Sequence, residues 1–383
     1  MRRAFVVALA VILVTSPVLA QDGGHRFPRR WLIAGVGTLV AGSAVAIYAA
    51  NFEGDIGGCS SVQCVAPITL FAGAMVGFMI GSESDKLYNL RYAHAPPWTL
   101  RGVELPLTVV PTDLSLGART VFVSGDEGVE LVRAGPSLER LGMRARGLRG
   151  IGAVTADSVT NIILVGTGVG LYQFPLRNDA PGSLAYPGDI SAISADGSIT
   201  AIGLGPDFLL ARHGDSLEAI GDPIAEISRV VDLVWQGNRT LWVLTEDRLA
   251  SYEVRDGVST LSGEFALPAV GRRMALGGDT AYVAAGSGGV YAIDISDHTA
   301  LVQLANWSGV RFAYDVATAA GRVYVAAGPE GLYVTRLDGD RFVPIGLARE
   351  AGFVAAVESD GESVYLLDRT GGTLRRIPVE PGR

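Results

Sequence analysis

Lysine is nearly absent: Lys86 is the only one among 31 basic residues. That removes Schiff-base and lysine-base chemistry from everything downstream of it. Histidine is scarce too, with four residues at positions 25, 94, 213 and 298. His213 and His298 fall in separate repeats, so a metal centre built on imidazoles is not supported. Of five tryptophans, Trp235, Trp242 and Trp307 are the only ones past residue 98. The regularly placed tryptophans of quinoprotein propellers are therefore missing, as are the repeated S-x-D-x-G-x-T-W boxes of sialidases. Basic charge is in the minority, at 31 basic against 39 acidic residues and a net charge of −8. Nucleic-acid binding, which needs a basic stripe against phosphates, is disfavoured. The densest basic cluster, Arg140, Arg144, Arg146 and Arg149, reads as a solvated connection. Asp338-Gly-Asp340 and Glu358-Ser-Asp-Gly-Glu362 lack the spacing of a calcium loop. No metal and no cofactor is expected.

What the chain does contain is one short strand pattern repeated seven times. The copies are Thr120-Val-Phe-Val123, Ile162-Ile-Leu-Val165, Thr200-Ala-Ile-Gly203, Thr240-Leu-Trp-Val243, Thr280-Ala-Tyr-Val283, Arg322-Val-Tyr-Val325 and Ser363-Val-Tyr-Leu366. Their last residues are separated by 42, 38, 40, 40, 42 and 41 positions. A period of this size with several strands per unit predicts a β-propeller. The fifth repeat shows the unit: Arg272–Leu276, Thr280–Ala284, Val290–Ile295 and Ala300–Ala305 alternate as four strands between Gly and Asp turns. The sixth copies it, and the third is degenerate at Gly203 and Pro206.

The seventh unit stops at Ile377-Pro-Val379, without an outer strand. Thr99–Leu105 has the look of one, so the N-terminal strand is expected to complete the last blade and close the ring. Closure removes the sheet edges that invite aggregation. The fold class is thus all-β, a seven-bladed propeller over residues 99–380.

Ala281-Tyr-Val-Ala-Ala-Gly-Ser-Gly-Gly-Val-Tyr-Ala-Ile-Asp-Ile-Ser296 resembles an LVIVD-type repeat, well matched in repeats five and six and poorly in three and four. The acid closing the third strand is Asp294 in repeat five but Arg336 in repeat six. The resemblance implies a bacterial or archaeal extracytoplasmic propeller and carries no catalytic residues with it.

The N-terminal quarter has a different composition. Residues 1–20 have the basic start, apolar run and small residues of a secretory signal peptide. Trp31–Ala50 and Val65–Ser82 are uncharged runs of spanning length, taken together as a transmembrane helical hairpin over 31–82. Gly73, Gly77 and Gly81 recur every four positions, matched by Gly42 and its neighbours on the other run. Such spacing lets helices pack closely in lipid and would support a homo-oligomer through the hairpin. Cys59 and Cys64, the only cysteines, lie between the runs and suggest a disulfide in an exported chain; two reduced thiols in a cytoplasmic loop is the other reading. Arg26, Arg29, Arg30, Lys86 and Arg91 flank the hairpin and favour cytoplasmic ends by the positive-inside rule. The signal peptide favours the opposite, a propeller outside the cytoplasm. Residues 83–98, with Ala95-Pro-Pro97, read as a stiff linker.

The candidate site is the central funnel, where Asp113, Asp189, Asp232, Arg272, Arg273 and Asp315 sit near the starts of the innermost strands. These residues either bind a ligand or solvate the channel and pair with one another. The leading functional expectation is a membrane-anchored, non-catalytic scaffold for a protein or cell-envelope component. The alternative is a lactonase-like hydrolase using the funnel carboxylates. A third reading places the function in an oligomeric hairpin.

Overall fold

The computed structural model describes residues 95–117, 119–157, 160–197, 199–213, 217–226, 228–237 and 239–379, with the short segments Asp55–Ile56 and Cys59–Ser60. The chain divides into two compact units, Met1–His94 and Ala95–Arg383. In the first, Asp55–Ile56 pairs antiparallel with Cys59–Ser60. The expectations for the signal peptide, for the two uncharged runs with Gly42, Gly73, Gly77 and Gly81, and for a Cys59–Cys64 disulfide lie outside the described residues. Among the described residues, no helix is long and apolar enough to cross a membrane.

The second unit is a ring of seven four-stranded antiparallel sheets. Blade one starts with Pro111–Gly117, and blades two to seven start at Ile151, Ala192, Val230, Arg273, Asp315 and Val354. Within each blade the strands run from the axis outward in chain order. Blade seven is the exception. Val354–Ser359, Ser363–Asp368 and Thr373–Pro378 are joined by Val103–Pro106, with Val103 opposite Arg376 and Pro106 opposite Thr373. The N-terminal strand closes the ring, and the Arg375–Glu104 ion pair at 3.1 Å reinforces the seam.

The repeated sequence pattern follows from where the second strand of each blade sits. It lies between two neighbouring blades and is covered on both faces, so every residue of Thr120–Gly125 and of Ser363–Asp368 is buried. Two-sided burial demands a near-continuous apolar run rather than strict alternation. Outer strands are covered less and alternate with exposed positions, as in Val302–Trp307. The core is not one mass but seven clusters, one for each blade-to-blade interface. The largest wedges Tyr282, Val290 and Trp307 of blade five against Val323, Tyr333 and Phe342 of blade six. The degenerate third repeat still forms a full blade, Ala192–Asp196 through Leu217–Ala225.

Two local expectations change. Ala95–Trp98, the end of the linker segment, lies along the outer strand of blade six: Trp98 N–H donates to the Leu347 carbonyl and Leu347 N–H to that of Pro96, at 2.9 and 2.8 Å. Gly346 makes room for the Trp98 ring, since a Cβ there would lie 2.5 Å from it. The arginine cluster is also not simply solvated. Arg144 is buried, donating to the carbonyls of Pro175 and Leu176 and pairing with Asp179, so it ties blade one to blade two. Arg140 pairs with Glu130, whose side chain is fully buried. His298 is half-buried and meets Trp242 edge-on, with ring centroids 5.3 Å apart.

Candidate functional site

Four of the six sequence candidates occupy one structural position. Asp113, Asp232, Arg273 and Asp315 each precede the inner-strand residue that pairs with the repeat's marker residue: Leu114 with Val123, Leu233 with Val243, Met274 with Val283, Val316 with Val325. Each aspartate accepts the N–H of the residue after it, at 2.9, 2.9 and 2.7 Å for Asp113, Asp232 and Asp315. The second carboxylate oxygen of Asp232 accepts Met274 N–H of the next blade at 2.8 Å. That of Asp315 does the same with Val357 N–H of blade seven at 2.9 Å. In both cases donor and acceptor are 42 residues apart. The aspartate is therefore a blade-to-blade staple, and its backbone partners explain why a short carboxylate is needed at that offset.

Blade five carries arginine where blades one, four and six carry aspartate, and its side chain serves three blades. Arg273 donates to the Val231 carbonyl of blade four at 3.1 Å and pairs with Asp113 of blade one, 160 residues away. Blades one and five are separated by blades six and seven, so this pair spans the channel. Asp232, Asp315 and Glu358 complete the electrostatic surroundings of the guanidinium. The charge of Asp113, more than any other, holds Arg273 in its protonated form.

One cation cannot neutralise four carboxylates in so confined a space. Burial pushes Asp232 from 3.8 up to about 6, against the opposing pull of Arg273. Burial pushes Asp315 up to about 7. Glu358 is raised well above its ordinary value, first by burial and then by the charges of Asp315, Asp232 and Asp113. The folded ring thus binds more protons than the unfolded chain between about pH 4 and 7. Stability present at the acid end of that window is lost as pH rises through the folded values. The midpoint of thermal unfolding is expected to fall across this range, with a shallower slope in Asp315→Asn; a flat profile, or a rise between pH 5 and 7, would refute the proton sharing.

The two remaining candidates lie elsewhere. Asp189 is in the loop before blade three, exposed, and paired with Arg229 at 2.7 Å. Arg272 is exposed at the start of blade five and stacks over Phe312, its guanidinium carbon 4.6 Å from the ring centroid. Sequence reasoning missed Glu358, which follows the apolar position instead of preceding it and looked like part of an acidic turn. It also missed the aromatic row Phe312, Tyr314 and Phe353, with centroids 4.6 and 5.4 Å apart.

This row lies on the face formed by the loops that enter each inner strand and the turns between second and third strands. Those two loop types bond across neighbouring blades: Gly286 with Ala313, and Gly328 with Val354. Gly328 has φ of +55°, and a Cβ on it would lie 2.5 Å from the Tyr314 ring. Gly328→Ala is therefore expected to destabilise the fold by about 1–2 kcal/mol, from backbone strain and displacement of the ring. Urea unfolding checks it, and an unchanged midpoint would mean that the turn relaxes freely. Val110, Val169 and Val270, exposed at 60, 71 and 57 %, stand on loops of the same face. Opposite it, turns of blades one and seven border a cleft of about 530 Å³ lined by Arg119, Asp360, Glu362 and Arg376. Among the described residues, no group of three or more His, Cys, Asp or Glu side chains is disposed to hold a metal ion.

No family model matches the chain, which leaves the LVIVD resemblance without support beyond its own residues. No curated protein matches it either. Solved structures do. A chain in the crystal structure of the mitotic checkpoint complex is 12 % identical with a TM-score of 0.60, covering 75 % of this chain and 98 % of its own. The Neurospora crassa Pan2 WD40 domain is 11 % identical with a TM-score of 0.58, covering 75 % and 98 %. The WD40 β-propeller domain of Doa1 is 13 % identical with a TM-score of 0.56, covering 75 % and 97 %. At these identities the likeness shows the fold, a WD40-like seven-bladed propeller.

Proposed function

We propose that this WD40-like propeller is a non-catalytic scaffold that binds a protein or cell-envelope component through its loop face. The observation that carries the reading is how the funnel charges are used. Both oxygens of Asp232 and of Asp315 accept backbone amides, and Asp113 is held by Arg273. The channel's charges hold blades together, whereas exposed valines and half-exposed aromatics gather on the loop face. Apolar side chains kept at a surface mark contact sites. The occurrence of a similar propeller within the mitotic checkpoint complex fits the same reading.

The signal-like start and the two uncharged runs support a membrane-anchored protein whose propeller, of LVIVD type, stands outside the cytoplasm. The glycine spacing supports self-association through the hairpin. Protease access to the propeller in intact cells against spheroplasts tests the compartment. A lactonase-like hydrolase is less well supported, because Asp113, Asp189, Asp232 and Asp315 are already engaged.

Cross-linking of the full chain followed by peptide mapping is expected to place a partner on the loop face. Purified protein is expected to show no turnover of lactones or esters. Turnover abolished by Asp113→Asn would replace the scaffold reading with the hydrolase.

A further inference from the structure

We infer that the sector of the loop face spanning blades five to seven binds an acidic peptide segment that carries an apolar side chain. The inference rests on the scaffold reading and goes further by naming the sector and the chemistry of the partner.

Arg272, Phe312, Tyr314 and Phe353 form a continuous row of contacts, with successive separations of 4.6, 4.6 and 5.4 Å. The three rings are half-exposed and their positions are fixed from below. Ala313 and Val354 are bonded to Gly286 and Gly328, and Arg369 N–H donates to the Phe353 carbonyl at 2.9 Å. Rigid, partly exposed rings bind apolar side chains with little loss of conformational freedom.

Charge then selects the partner. Arg272, Arg349 and Arg369 are exposed and, among the described residues, none is paired with a carboxylate. The acids nearby are already committed: Glu330 pairs with Arg311 at 3.0 Å, and Glu350 accepts Leu100 N–H at 3.0 Å. The loops of blades one and four on the same face carry Asp126, Glu127, Glu246 and Asp247 instead. A partner seated over the aromatic row therefore meets three unneutralised guanidiniums, which recognise carboxylates by paired N–H donors. Three arginines beside an acidic half-face are too few for a nucleic-acid backbone, which needs a longer basic track.

The test presents the full chain to an array of hexapeptides holding two or more acidic residues and one leucine or phenylalanine. A parallel array carries lysine for each acid, and a third arm is a single-stranded oligonucleotide. Retention is expected on the acidic array only. Affinity is expected to fall about tenfold or more in Arg272→Glu/Arg349→Glu and in Phe353→Ala, given the strength of charge-assisted bonds. Arg146→Glu, an exposed arginine on the blade-two side of the same face, is expected to bind as the parent does. Thermal melts identify any variant that fails to fold, and Phe353→Leu then takes the place of Phe353→Ala.

No retention, equal retention of acidic and basic arrays, or retention of the oligonucleotide would overturn the inference. So would self-association that disappears in the double arginine variant, since the occupant would then be a second copy. A partner cross-linked to another part of the propeller and indifferent to these variants refutes this sector while leaving the scaffold reading intact. Catalytic turnover with no partner refutes the scaffold reading itself.

Discussion

Arg273→Met is expected to destabilise the propeller by about 2–4 kcal/mol at pH 8, and by much less at pH 5. Removing one partner of a buried pair leaves an uncompensated charge, which is why such losses are large. Here the loss is compounded, since Arg273 is the counter-ion for Asp113, Asp232, Asp315 and Glu358 together. Its side chain retains 29 % exposure, so channel water offsets part of the penalty. Without the guanidinium Asp232, Asp315 and Glu358 take up protons at higher pH, and acid conditions restore part of what the substitution removed. Adding Asp113→Asn to the variant is expected to recover part of the loss at pH 8. Thermal unfolding of the single and double variants at the two pH values decides the matter. Equal destabilisation at pH 5 and pH 8 would mean that Arg273 acts by packing alone.

Deleting residues 95–106 is expected to abolish the monomeric folded state. The deletion takes away Val103–Pro106, the outer strand of blade seven, and leaves the outer edge of Thr373–Pro378 exposed while its inner edge stays paired with Ser363–Asp368. Each lost ladder bond contributes about 1 kcal/mol, a large share of a marginal total once several go together. It also removes Trp98 from the outer strand of blade six. Exposed strand edges recruit other chains, so size-exclusion chromatography should show oligomers and aggregate. A synthetic peptide covering Thr99–Leu107 should restore monomer by adding the strand in trans. A truncated chain that melts as the parent does would show that the ring closes by other means.

The ring was legible because burial imposes a simple rule on the second strand of every blade. Val121-Phe-Val123 and Val364-Tyr-Leu366 read alike since each fills the gap between two sheets. The closing strand was legible from a mismatch, an outer strand missing at one end and spare at the other. The funnel was legible in part. Asp113, Asp232, Arg273 and Asp315 share one offset from a repeating apolar residue, so periodicity located them. Glu358 has no counterpart at its own offset and escaped. Asp189 and Arg272 lie outside that offset, in the loops leading to the channel. The Phe312–Tyr314–Phe353 row was not legible, since it joins loops of two blades whose approach depends on ring closure, and no spacing rule covers such loops. The role of Arg144 was hidden for the same reason: its partners, Pro175, Leu176 and Asp179, belong to the following blade.

The seam in blade seven sets an order of events during synthesis. Val103–Pro106 leaves the ribosome before any blade exists, yet its partner Thr373–Pro378 emerges only after the strands of blades one to six. Until then the nascent polypeptide carries a finished strand with nowhere to dock, and six sheets that stack without a lock. Pairing across so long a stretch of chain is slow and exposes sticky intermediates. Such a protein matures only after Thr373–Pro378 is made, and a chain that stops short of that strand is a product that chaperones and proteases will treat as unfinished.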